Sequence, residues 1–371
     1  MKKVWIAADC IVSPLGSTTA ENYRNLQQGR SGITLIDDAG LSAKPFYGAK
    51  ITTIPDAGMT RFEWLCSQAI QHVLSKAPVQ NHRTLFILST TKGNISFLEE
   101  GQPDHPRIHL HAVATFLSGK FGFAKQMVVS NACISGVMAL LVGTRMIRTG
   151  AYDHAVVVGA DVLSRFVISG FQSLQAFSPE PCRPFDADRK GINLGECAAA
   201  IVLTALPTEF GIKKAVWIAG GGLSNDANHI SGPSRTGDEL VFAVMQAMEE
   251  AGTTTGDIDF ISAHGTATVY NDEMEAKAFS TLNMSDVPLN SLKGYFGHTL
   301  GAAGVTEVAI NAESLLQDEL LPSKGFSSLG VSQPVNVIRA LKKTSLTTCL
   351  KTASGFGGCN AAIILKKENN F

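Results

Sequence analysis

The chain has 371 residues, 45% hydrophobic and 17% charged, with a formal net charge of −1. That is the composition of a folded chain with a large core, and it offers no basic surplus for nucleic acid or an anionic membrane. Seven scattered cysteines, odd in number and without C-x-x-C spacing, argue against a disulfide framework and for a reducing cytosol.

Val4–Val12 reads as a first β-strand, not a signal peptide, because Asp9 interrupts the apolar run and no cleavage site follows. No run reaches the roughly 18 apolar residues of a membrane span. Helices are predicted around 19–29 and 60–76, the second with Phe62, Leu65, Ala69 and Val73 on one side. Leu85–Ser89 is a short buried strand, and 93–107 turns polar as a surface excursion. His109 and His111 share one face if their segment is a strand. With no cysteine nearby, zinc on these two and His105 is disfavoured, and no metal is expected. A polar pocket wall or an interface fits them better.

Val128–Gly143 organises the first half. Val128 and Val129 end a strand, and Ser130-Asn131 supply a turn and a candidate cap. From Ile134 to Gly143 the residues are apolar or small on every side, so this helix is buried all round. Cys133 sits at its mouth, where the helix dipole lowers a thiol's pKa and makes a nucleophile. On this stretch alone an inert buried cysteine is the commoner case.

Further strands are predicted at 155–160, 198–204, 215–222 and 259–263. A polar break at 207–214 divides the chain into halves 1–206 and 207–371. Phe296–Gly304 opens a second small-residue helix, and residues 366–371 read as a solvated tail. Each half has a strand, a small-rich buried helix and a reactive residue at its mouth: Cys133 in the first and His298 in the second. This is a duplicated α/β plan with mostly parallel buried strands.

Three further stretches carry chemistry: Ala263-His264-Gly-Thr-Ala-Thr268 with Asp272 and Glu275, Ser291-Leu-Lys293 to Gly297-His298, and Ser354-Gly-Phe-Gly-Gly-Cys-Asn360. With Ser13-Pro-Leu-Gly16, Arg183-Pro-Phe-Asp186 and Gly195-Glu196, they make the chain resemble the elongating Cys-His-His β-ketoacyl-[acyl carrier protein] synthases of the thiolase-fold family. The resemblance runs nearly end to end. It implies a duplicated αβαβα sandwich of five layers with two mixed five-stranded sheets, and a dimer of like or related subunits. It also implies an acyltransferase that condenses an acyl group on Cys133 with a malonyl thioester and needs no cofactor beyond the phosphopantetheine of an acyl carrier protein.

The resemblance makes Cys133 the nucleophile and His264 and His298 the decarboxylation donors. Lys293 is their electrostatic neighbour and Glu307 its charge partner. The amides of Cys133 and Phe356 form an oxyanion hole, Thr266 and Thr268 hold the pantetheine arm, and Phe356 gates the acyl pocket. The chain departs from the pattern at Cys197 (usually glycine), Ser354 (usually phenylalanine) and Cys359 (usually threonine). With His109 and His111 placed in the pocket wall, Ser354 favours a short, unsaturated or aryl chain over a long saturated one. Fatty-acid, polyketide and polyene elongation all stay open. A thiolase would need a second catalytic cysteine, for which Cys359 is the candidate, but Lys293 to His298 fits the synthases better. A non-catalytic partner subunit would ordinarily lack the nucleophile. Pairing through the uncharged run Ala155–Ala160 is the expected dimer contact.

Overall fold

The computed structural model describes residues 2–53, 58–79, 81–210, 215–226 and 232–368. Among them, eleven strands form one sheet. In chain order they are β1 (Val4–Val12), β2 (Thr84–Ser89), β3 (Lys125–Val129), β4 (His154–Asp161), β5 (Cys197–Thr204), β6 (Ala215–Asn225), β7 (Phe260–Ser262), β8 (Pro288–Asn290), β9 (Asn336–Val337), β10 (Thr348–Gly355) and β11 (Cys359–Glu368). The principal helices are α1 (Thr19–Gln27), α2 (Arg61–Lys76), α3 (Leu110–Phe121), α4 (Ser135–Arg148), α5 (Arg165–Ser173), α6 (Asp238–Ala251), α7 (Val269–Thr281), α8 (Lys293–Phe296) and α9 (Ala303–Gln317).

The spatial order is β9-β8-β7-β10-β11-β6-β1-β5-β4-β2-β3. Read outward from the central β6–β1 pair, each half runs first, last, fourth, second, third in its own chain order, with β9 as an extra edge on the second. The directions repeat too. β1–β5 and β5–β4 are antiparallel while β4–β2 and β2–β3 are parallel. Likewise β6–β11 and β11–β10 are antiparallel while β10–β7 and β7–β8 are parallel. The sheets are thus mixed, where the strand composition alone suggested mostly parallel ones. Within the sheet the halves are paired through Val4↔Ile218 and Trp5↔Trp217, so the two sheets join at a narrow seam.

Period-2 alternation on strands covered on both faces builds the layers. On β2, Phe86 and Leu88 pack with α2 and α3, while Leu85 and Ile87 face α4 and α9. On β11, Ala362 and Ile364 pack with α6 and α7, while Ala361 and Ile363 face the middle layer. The result is helices, sheet, helices, sheet, helices. The middle pair packs closely because it lacks side chains at the crossing. A Cβ on Gly136 of α4 would lie 2.8 Å from the Val305 amide, and one on Gly304 of α9 would lie 2.3 Å from that of Val137.

Several expectations are corrected here. Residues 366–368 are no tail, because β11 runs to Glu368 and Lys367 pairs with Asp318 at 2.6 Å; residues 369–371 lie outside the described set. Of the polar break at 207–214, residues 211–214 also lie outside it. The excursion at 93–107 contains a helical turn, Ser96–Glu99, and buries Asn94 and Phe97. The run Ala155–Ala160 is not an edge, since β4 is paired on both sides. Among the described residues the outer strand of that half is β3, with Lys125 and Gln126 exposed and Met127 and Val128 half-buried.

Candidate active site

After β3 the chain turns sharply through Ala132, whose φ of +44° is unusual for a residue with a side chain. This elbow presents Cys133 one residue before the cap of α4. The cap is Ile134 and uses no side chain, so Ser130 and Asn131 do not cap the helix; Ser135 Oγ instead accepts from the Asn131 amide at 2.7 Å.

His264 follows β7 after one intervening residue. Its amide and that of Gly265 both donate to Glu275 on α7 at 2.7 Å, fixing the strand end. His298 hangs between α8 and α9, its amide donating to the Asn193 carbonyl at 2.7 Å. The three side chains converge. The Cys133 sulfur and one ring nitrogen each of His264 and His298 lie within 4.8 Å of one another, all buried. A thiol and two imidazoles could in principle ligate a metal, but neither ring nitrogen of His298 has a hydrogen-bond partner. The outer hydrogen bond that fixes a ligating imidazole is therefore missing.

Lys293 is fully buried, and its Nζ donates to Glu307 Oε1 at 2.8 Å. The other carboxylate oxygen lies 2.6 Å from Nζ of Lys351, a fully buried lysine on β10. Burial pushes the Glu307 carboxyl up, but the two ammonium groups outweigh it and hold the pKa below the ordinary value. Both imidazoles are held well below the usual histidine value. Burial is the main cause, followed by the charge of Lys293, with Lys351 acting on both rings. They are neutral at neutral pH, each with one N–H to donate.

The thiol departs from expectation. Its pKa is pushed up to about 12, chiefly by burial and next by neighbouring Cys359; Lys293 and the Phe356 amide pull it down but do not win. The helix terminus does not overcome the loss of water. That same Phe356 amide faces the sulfur from the β10–β11 turn, where an oxyanion donor would stand. Gly355 allows the approach, since a Cβ there would lie 3.0 Å from the Cys133 amide and 2.8 Å from the Cys359 sulfur. The Phe356 ring, 39% exposed, stacks on Phe171 of α5 with centroids 5.5 Å apart. Thr266 and Thr268 sit side by side, hydroxyls 2.8 Å apart.

His109 and His111 lie on the surface of this chain. Their segment is the start of α3, not a strand; His109 occupies the cap position, both side chains are exposed, and the rings stack at 5.7 Å. Alternation placed them on one face, but Leu110–Phe121 has helical burial, with Val113, Ala114 and Leu117 inward. His105 stacks instead on Phe97 at 3.6 Å. Sequence reading missed Phe171, Asp161 and Lys351. Asp161 accepts from the Gly301 amide at 2.7 Å and from Thr90 and Thr91, tying the start of the second central helix to the first sheet. A lysine inside the strand run Thr348–Gly355 was the one legible signal for Lys351.

A cysteine on an elbow, two neutral imidazoles and a backbone-lined hole within a duplicated five-layer sandwich define a thiolase-fold acyltransferase. Residues 98–208 match the family model for the N-terminal domain of β-ketoacyl synthases, and residues 215–327 that for the C-terminal domain. The 3-oxoacyl-[acyl-carrier-protein] synthase 2 of Vibrio cholerae is 30% identical over 91% of this chain and 80% of its own. The tetracenomycin polyketide synthase ketoacyl synthase alpha subunit of Streptomyces glaucescens is 31% identical over 65% of this chain and 59% of its own. A solved ketosynthase complex with its chain length factor, from Xenorhabdus doucetiae, superposes with a TM-score of 0.89 at 27% identity over 98% of both chains. The chain belongs to the β-ketoacyl synthase family.

Proposed function

We propose that this protein condenses an acyl group with a malonyl thioester, both delivered by an acyl carrier protein, to give a 3-oxoacyl-carrier. The observation that carries this reading is the convergence of the Cys133 thiol and two neutral imidazoles within 4.8 Å. The Cys133 sulfur bonds to the acyl carbon of the incoming thioester. The bond from that carbon to the carrier sulfur breaks, and the thiol proton passes to the departing sulfur so that the carrier leaves as a thiol. The amides of Cys133 and Phe356 hold the tetrahedral oxyanion. Malonyl-carrier then enters, its pantetheine arm hydrogen-bonded by Thr266 and Thr268. Its C–CO2 bond breaks, CO2 leaves, and the electron pair becomes an enolate whose oxygen accepts from His264 and His298. The enolate carbon attacks the acyl-Cys carbonyl, the C–S bond breaks, and the Cys133 thiolate so released takes up a proton from water.

Neutral donors suit this step, because an imidazolium would hand its proton to the enolate and waste it as acetyl-carrier. Phe356 gates the acyl pocket against Phe171. The drawn reaction uses only these groups and needs no resident cofactor. Seven buried, unpaired cysteines support a reducing cytosolic setting, and no helix among the described residues is long and apolar enough to cross a membrane.

A dimer through the open β3 edge, with a second copy or a related subunit, covers backbone groups that would otherwise invite aggregation. The division of the chain near residue 206 follows from the strand sets, those of one half ending at Thr204 and those of the other beginning at Ala215. Intact-mass measurement after incubation with a panel of acyl-carriers tests the reading. The adduct should appear on the native protein, vanish in Cys133→Ala, and rank the acyl chains. An adduct that persists in that variant refutes the nucleophile. A native protein that takes no acyl group favours a non-catalytic partner subunit.

A further inference from the structure

Two fully buried lysines share one carboxylate, and the reaction drawn above gives Lys351 no role. Lys351 Nζ lies 2.6 Å from Glu307 Oε2 and donates to three backbone carbonyls, those of Ser262 and Ala263 at 3.2 Å and that of Thr352 at 2.6 Å. Its ammonium therefore sits among four oxygens. Burying such a charge is costly, and an apolar side chain of similar volume serves structure as well or better. The neighbours Cys349 and Leu350 on the same strand are apolar and buried.

The carbonyl partners give the position its meaning. Ser262 stands opposite Lys351 in the parallel β7–β10 pair, and Ala263 is bonded to His264. Glu307 in turn holds Lys293. We propose that Lys351 is a positioning residue for the decarboxylation and condensation step, its ammonium binding the carbonyls that carry His264 to the carboxylate that orients Lys293. This inference rests on the condensation reading and extends it to a residue that touches none of the reacting atoms.

Electrostatics supports the geometry. The charges that act on the two rings are Lys293 from α8 and Lys351 from β10, with Glu307 of α9 between the two ammonium groups, Glu275 of α7 on the His264 amide and Cys133 beside both rings. Glu275 is itself held by the His264 and Gly265 amides, Asn271 and the Thr352 hydroxyl. Burial holds the rings neutral first, and the lysine charges add to it. Without the Lys351 charge, the Glu307 carboxylate faces Lys293 alone and the ring pKa values rise. Protonation of the rings, and with it loss of the enolate to acetyl-carrier, then begins at higher pH.

The test compares native protein with Lys351→Met over pH 5 to 8, following Cys133 acylation by intact mass and 3-oxoacyl- and acetyl-carrier by chromatography. The expected result is acylation within about threefold of native and condensation reduced about 100-fold at neutral pH. Its acid limb should move upward, and the share of acetyl-carrier should rise. A folded Lys351→Met with native condensation and an unmoved acid limb overturns the proposal, as does an equal loss of acylation and condensation. If Lys351→Met does not fold, Lys351→Ala with added propylammonium takes its place. Recovery of condensation and of the native acid limb supports the assignment, and recovery of folding alone overturns it. A native protein that forms acyl-Cys133 but releases no CO2 fails the condensation reading itself, and this inference falls with it.

Discussion

The rings of His264 and His298 meet edge to face, centroids 5.1 Å apart and planes at 83°. Two side chains from different elements of the second half thus present their edges to one small volume beside Cys133 of the first. The arrangement suits two donors converging on a single oxygen, and in the proposed reaction acyl transfer is left largely to the amides of Cys133 and Phe356. His264→Ala and His298→Ala should each lower CO2 release from malonyl-carrier by about 100- to 1,000-fold, the cost of removing an oxyanion donor. Cys133 acylation should survive in both. Parallel half-reaction assays decide it, and matched losses in the two would contradict the division of labour.

The Cys133 thiol, pushed up to about 12 by burial, is protonated in the resting protein at neutral pH. Its reactive fraction grows with pH up to that value, since only the thiolate attacks an electrophile. Alkylation of Cys133 by iodoacetamide, followed by mass, should therefore still be accelerating at pH 9. A plateau reached below pH 8 would show that the helix terminus and the Lys293 charge outweigh burial after all.

The motif residues were legible because each sits where backbone geometry forces a residue type. Glycines mark the closest approaches, histidines follow strand or loop ends, and Cys133 precedes a helix whose first turns are apolar or small. The duplicated plan was legible for the same reason, since both central helices need small residues where they cross. What escaped depended on three-dimensional neighbours. Alternation in His109-Leu-His111 suited a strand, but Val113, Ala114 and Leu117 set the helical face that won. Uncharged composition made Ala155–Ala160 look like an edge, although a strand paired on both sides has the same composition. The thiol's shift followed from total burial, which a dipole argument from sequence cannot weigh.

The crossing of α4 and α9 should tolerate no side chain. In Gly304→Ala the new Cβ would lie 2.3 Å from the Val137 amide, a backbone atom that cannot swing aside. Overpacking of this kind costs about 1–3 kcal/mol or more, and it should also displace the elbow that carries Cys133. Gly170→Ala on α5, where nothing lies within 4 Å of the added methyl, should leave stability unchanged or raise it by up to about 1 kcal/mol. Urea unfolding of both variants makes the comparison, and a Gly304→Ala protein as stable as native would mean the middle layer is looser than it looks.

Glu307 balances two buried ammonium groups, one on each carboxylate oxygen. Glu307→Gln leaves both uncompensated, side by side in the interior, and breaking a buried pair in this way costs about 3–5 kcal/mol. Removing one of the two like charges from that variant should then give stability back. Glu307→Gln/Lys351→Met leaves a single ammonium, that of Lys293, facing an amide oxygen. The two substitutions should thus be strongly non-additive, with the double variant more stable than Glu307→Gln alone. The sign is the informative part, because two independent packing defects would make the double variant the least stable of the set. Urea unfolding of the native protein, both single variants and the double variant closes the cycle. A coupling energy below about 0.5 kcal/mol would mean that the lysines do not share the carboxylate in solution.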